Sequence, residues 1–172
     1  MKTVTLNLYK FNELSESAKE TAISELAYIN TEIDWWESIY EDAKMIGLKI
    51  TSFDLDRNRN AKGEFITSAS EVIEEILGSH GENCETYKTA LKYKKSFLGI
   101  SVKYKDKGED NWDEQSEIED TEDEFLNDIL EDYSIILQHE CDYLTSKEQI
   151  IETIEANEYD FTEDGKLYPC KA

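Results

Sequence analysis

Charge is sorted along this chain, and the sorting restricts how it can fold. Between Thr86 and Lys107 there are seven lysines and a single aspartate, whereas from Gly108 through Leu144 there is no lysine or arginine and aspartate plus glutamate number 15. Carboxylates at that density repel one another unless something offsets them. The economical arrangement folds the basic segment against the acidic one, neutralising part of it. Tyr87, Tyr93, Phe97 and Tyr104 interleave with the lysines, so the basic segment also has the composition of a nucleic-acid patch, in which rings stack on bases. The net charge of −22, from 18 basic and 40 acidic residues in 172, favours internal neutralisation over that alternative.

The same imbalance argues against direct binding to DNA or to an anionic membrane and makes a basic partner the natural complement. Apolar residues at 39% and aromatics at 11% are too abundant for an intrinsically disordered chain. The length suits one substantial core, so a single domain spanning 1–172 is expected. Cys84, Cys141 and Cys170 form no C-x-x-C pair and leave one thiol over if two bridge, which points to reduced thiols. "MKTVTLNLYKF" has no apolar signal core and no run approaches a membrane span, so a cytoplasmic protein is expected.

Periodicity predicts a helix-rich α+β fold with a small antiparallel sheet. Val4, Leu6 and Leu8 alternate as a strand would, and Leu14, Ala18, Ala22 and Leu26 follow at helical spacing, with Ser17 and Glu20 as a capping box. Ile33, Trp36, Tyr40 and Ala43 share a second helical face that Gly47 would end, with Trp36 in the core and Trp35 on its flank. "LKITSFDLDR" and "KGEFIT" read as a hairpin, and Val72, Ile73, Ile76 and Leu77 as a third helix. "TYKTALKYKK" reads as helix, while "GISVKYK" alternates like a strand. An irregular acidic loop is expected near 106–120. Phe125, Ile129, Tyr133, Ile136, Leu137, Glu140 and Leu144 then trace a long helix with Thr121 and Glu124 as its capping box. Thr145 and Glu148 would cap a last helix through Ile150, Ile151 and Ile154, before a hairpin of Tyr159, Phe161 and Leu167 turning at Gly165.

Motifs that carry chemistry are sparse. Asp54, Asp56, Asn58 and Asn60 alternate like the first half of a calcium loop, but Arg59 stands where that loop needs glycine and Phe65 where it needs glutamate; a polar turn with local Asp–Arg pairing is the better expectation. His80, Cys84, His139 and Cys141 are a zinc-type set without the usual tight pairs. Glu82 and Glu85 oppose thiolate formation at Cys84. No phosphate loop, dinucleotide fingerprint or nucleophile elbow is present. No catalytic residue, metal site or cofactor is therefore assigned, and the chain is expected not to be an enzyme.

The acidic segment "EDNWDEQSEIEDTEDE" and the helix after it carry the functional expectation. Carboxylates three and four residues apart on a helix lie about 5–6 Å from each other, so a rigid helix can present ordered negative points to a cationic groove built for phosphates. The plainer alternative is a solvated helix face. The partner-binding candidates are Asp120, Glu124, Asp128, Glu131 and Asp132, with Trp112 and Trp35 as aromatic anchors.

"FNELSESAKETAI", "DWWESIYEDAKMIGLKITSFDLDR", "HGENCETYKTA" and "LTSKEQIIETIEANEYDFTEDGKLY" resemble a group of small acidic proteins of bacteriophages, prophages and mobile elements, with antitoxin-like or uncharacterised labels. The resemblance implies one α+β module and an accessory role, without catalytic residues to carry over. It implies a non-enzymatic inhibitor or modulator of a host defence nuclease, of anti-CRISPR or anti-restriction type, acting by polyanion mimicry in the host cytoplasm. The partner would be a cationic nucleic-acid-processing nuclease or its RNA-loaded complex. An antitoxin neutralising a basic toxin is the alternative, followed by a metal-binding protein or a novel enzyme.

Overall fold

A computed structural model of the chain describes residues 6–105 and 112–168. The elements run β1 (Tyr9–Lys10), α1 (Glu16–Glu25), α2 (Glu37–Met45), β2 (Leu48–Asp54), β3 (Asn60–Phe65), α3 (Ala69–Ser79), α4 (Glu85–Tyr104), α5 (Trp112–Leu144), α6 (Lys147–Ala156) and β4 (Asp160–Phe161). The helix-rich α+β class expected from periodicity is what the chain adopts, with two antiparallel two-stranded sheets among the described residues, β1 with β4 and β2 with β3. The chain divides into two compact units, residues 1–35 with 139–172 and residues 36–138.

In the first unit, Phe11, Leu14, Ala18, Ala22, Ile150, Ile154 and Phe161 form the core, and Phe11 meets Phe161 edge-on at 6.2 Å. The alternation at Leu6 and Leu8 does not make a strand. Both side chains are exposed, and pairing is confined to Tyr9 opposite Phe161 and Lys10 opposite Asp160; Val4 lies outside the described residues. The caps differ from the expected ones by a residue or two. Ser15 accepts from the Ala18 amide at the start of α1, and Ser146 accepts from the Gln149 amide at the start of α6. The last turn bends as expected: Gly165 has φ +84°, and a side chain there would run into the Ala18 carbonyl.

In the second unit, α2 begins at Glu37, four residues later than its expected apolar face, so Ile39 and Ala43 take the buried positions and Ile33 is exposed. Trp36, expected in the core, is half-buried instead, with its ring edge-on to Phe53 at 5.5 Å. Gly47, at φ +86°, ends the helix and leads into the hairpin, where Leu48 pairs with Phe65 and Asp54 with Asn60. The apolar face of α3, Val72, Ile73 and Ile76, is buried behind a capping box of Ser68 and Glu71.

Two larger corrections concern α4 and α5. The stretch "GISVKY" continues α4 as helix. Its alternation is overridden because Tyr93, Ile100 and Tyr104, spaced seven and four residues apart, fall on one buried helical face. The acidic stretch expected as loop is helical from Trp112 onward; residues 106–111 lie outside the described residues. Glutamate and glutamine are good helix formers, and Gln115 donates to Glu119 one turn on at 2.9 Å. Thr121 is therefore no cap: it sits in mid-helix and its hydroxyl donates to the Glu117 carbonyl at 2.6 Å.

Candidate interaction surface

The surface is built on the second unit's part of α5, residues 112–138. Its buried stripe of Phe125, Ile129, Leu130, Tyr133 and Leu137 fixes which carboxylates turn inward and which outward. Phe125 packs on Phe65 and Tyr93, with ring centroids 5.2 and 5.1 Å away, which seats α5 against β3 and α4. The Tyr133 hydroxyl donates to Asp42 of α2 at 2.7 Å; burial first, and this bond second, push the phenol's pKa well up.

The basic segment meets the acidic one as the sorting of charge predicts. Lys92 pairs with Asp128 at 2.8 Å and Lys103 with Glu117 at 2.5 Å. The Tyr93 hydroxyl also donates to Asp128, at 2.8 Å. Burial alone would raise the Asp128 carboxyl, but the hydrogen bonds from Lys92 and Tyr93 outweigh it and hold it below the usual aspartate range. One turn on, Asp132 behaves oppositely. It accepts from Thr89 at 2.6 Å, yet burial, aided by Glu85, Asp128 and Glu131, pushes its carboxyl up. Glu131 takes Arg59 at 2.6 Å, and the Arg59 Nε donates to Ser134 at 3.2 Å.

That last contact corrects the expectation of local Asp–Arg pairing in the β2–β3 turn. Asp54 instead accepts the Asp56 amide and Asn60 donates to the Asn58 carbonyl, leaving Arg59 to reach α5. The zinc-type set is split between the units, with His80 and Cys84 in one and His139 and Cys141 in the other. Among the described residues, no group of three or more His, Cys, Asp or Glu is placed to hold a metal ion. Cys84 and Cys141 are free thiols, and Cys170 lies outside the described residues. His80 Nδ1 is 2.7 Å from the Thr86 hydroxyl and its Nε2 is 4.0 Å from Asp42. Thr86 is buried, so this chain of polar contacts links α2 to the start of α4 within the second unit.

The partner-binding candidates therefore divide. Asp128, Glu131 and Asp132 are engaged internally. The side chains of Asp120 and Glu124 are exposed and make no hydrogen bond or ion pair among the described residues. Trp112, the first residue of α5, is 87% exposed. Trp35 is half-buried and belongs to the other unit. Sequence reasoning missed Glu119 and Asp123, both exposed on α5 beside Asp120 and Glu124. The signal for them was the apolar spacing from Ile118 to Phe125, which extends the helical face forward into the acidic run.

Between Asp113 and Glu124, eight carboxylates occupy 12 residues of continuous helix. At 1.5 Å per residue this is about one per 2 Å of axis, against about 1.7 Å per phosphate charge along duplex DNA. No helix among the described residues is long and apolar enough to cross a membrane. No family model, curated protein or solved structure matches the chain.

Proposed function

We propose that this protein is a non-enzymatic inhibitor or modulator that docks on a cationic, nucleic-acid-processing host protein by imitating a polyanion. The observation that carries this reading is the front of α5, where a continuous helix holds carboxylates spaced nearly as closely along its axis as the phosphates of a duplex. Asp120, Asp123 and Glu124 face solvent there, with the exposed Trp112 at the leading end. Tryptophan is enriched among residues that dominate binding energy, so Trp112 supplies an anchor beside the charge. The target class is a defence nuclease of the CRISPR or restriction type, whose channel is cationic because it holds nucleic acid. That target agrees with the accessory role implied by the resemblance to small acidic phage proteins.

Affinity capture from host lysate, with and without nuclease treatment, tests the reading. A cationic nucleic-acid enzyme is expected, bound less tightly as salt rises and displaced by its own nucleic acid. Neutralising Glu119, Asp120, Asp123 and Glu124 together should abolish capture. Unchanged affinity and unchanged salt dependence in that variant would remove α5 from the interface, and recovery of a small basic toxin instead would favour antitoxin action.

A further inference from the structure

Helix α4 carries two stripes. One, made of Ala90, Tyr93, Ile100 and Tyr104, is buried in the second unit. The other, Leu91, Lys95, Leu98 and Val102, advances by four, three and four residues, the spacing of a coiled-coil seam. At 100° per residue it lies on the far side of the helix from the first. Leu98 is 59% and Val102 74% exposed. Beside them, Phe97 and Leu98 with Ile73 of α3 frame an open groove of about 240 Å³. Solvated helix faces are ordinarily polar, so aliphatic side chains kept at seam spacing mark a surface that meets another one.

We propose that this seam is a docking site for an amphipathic α-helix of a partner protein, apolar at seam spacing and flanked by glutamate or aspartate. Charge complementarity selects that occupant. Lys95 lies within the stripe, exposed and without an ion-pair partner among the described residues, while Lys88 at its border is paired with Glu85 at 2.6 Å and Lys94 in the groove with Glu74 at 2.7 Å. At physiological ionic strength, charges separated by more than about 8 Å are largely screened, so the unpaired Lys95 outweighs the distant net charge at this face. A second copy fits poorly, because pairing α4 with α4 brings one lysine-bearing face against another in place of an acidic flank. A nucleic acid fits poorly as well: the rings of Tyr93 and Tyr104 are buried and unable to stack on bases. The seam is thus opposite in sign to the acidic ridge and independent of it.

The probe is a synthetic amphipathic helix with leucine at seam spacing and glutamate on its flanks, titrated into the full chain by calorimetry beside a scrambled peptide of identical composition. One-to-one binding of the patterned peptide alone is expected. Leu98→Asp with Val102→Asp should weaken it about tenfold or more, as loss of a central apolar contact does. Lys95→Glu should weaken it too, and circular dichroism of both variants should stay unchanged because all three side chains are exposed. The proposal is overturned if the patterned peptide fails to bind, if the scrambled one binds equally, or if the double variant keeps its affinity. It is equally overturned if sedimentation finds a dimer of this chain that the double variant dissolves, since a second copy then covers the seam.

Discussion

The front of α5 and the stretch behind it have similar composition and opposite fates. From Trp112 to Glu124 the carboxylates mostly point away from the core, although Glu117 is held by Lys103 of α4. From Phe125 to Gln138, Asp128, Glu131 and Asp132 are each held by a side chain from another element: Lys92 and Tyr93, Arg59, and Thr89. The difference lies in the apolar residues between them. Phe125, Ile129, Leu130, Tyr133 and Leu137 bury the rear half closely enough to bring its acids within reach of neighbours, whereas the front half has only Ile118 as a large aliphatic among its acids. An acidic run is therefore two things here, a scaffold and a surface, and only the scaffold should resist mutation.

Denaturant unfolding separates them. Phe125→Ala empties a buried ring from the junction of α4, α5 and β3 and should cost about 3–5 kcal/mol. Asp128→Asn should cost about 1 kcal/mol by weakening two hydrogen bonds to a charged acceptor. Because the folded Asp128 titrates below its unfolded value, its contribution is present above the ordinary aspartate range and fades as pH falls through the folded pKa; the penalty of the variant should shrink in the same window. Asp132→Asn should go the other way. Its folded carboxyl titrates high, so ionisation costs the native state, and the variant should match or exceed wild-type stability at neutral pH, with any gain vanishing once acid protonates Asp132.

Neutralising Glu119, Asp120, Asp123 and Glu124 should leave stability unchanged or raise it by about 0.5 kcal/mol, since like charges one turn apart repel. Trp112→Ala should be smallest, within about 0.5 kcal/mol, because an exposed side chain loses little on truncation. A large loss of stability in either variant would mean that the front of α5 is scaffold too, and the comparison would fail.

Much of this arrangement is legible in the sequence, with gaps that have physical causes. Helical spacing locates α1, α3 and α6, and alternation locates the β2–β3 hairpin, because each has one buried face. Ile100, Val102 and Tyr104 alternate by chance of composition; their helical state is decided by Tyr93, Ile100 and Tyr104 sharing a core with α5, a long-range fact. The front of α5 is obscured by its charge, which hides the single spacing from Ile118 to Phe125. Opposite signs in adjacent segments announce that lysines and carboxylates pair. Which ones do depends on reach: Lys92 finds Asp128 and Arg59 finds Glu131 only after the hairpin and α4 are set in place.

The density of carboxylates on the front of α5 has a thermodynamic consequence. A line of about one carboxylate per 2 Å, most of them unpaired, gathers small cations from solution, as a nucleic acid does. Any partner that docks there displaces those ions into bulk, so much of the driving force is the entropy of salt set free. The slope of the logarithm of affinity against the logarithm of salt concentration then counts how many carboxylates the partner covers, without any structure of the complex.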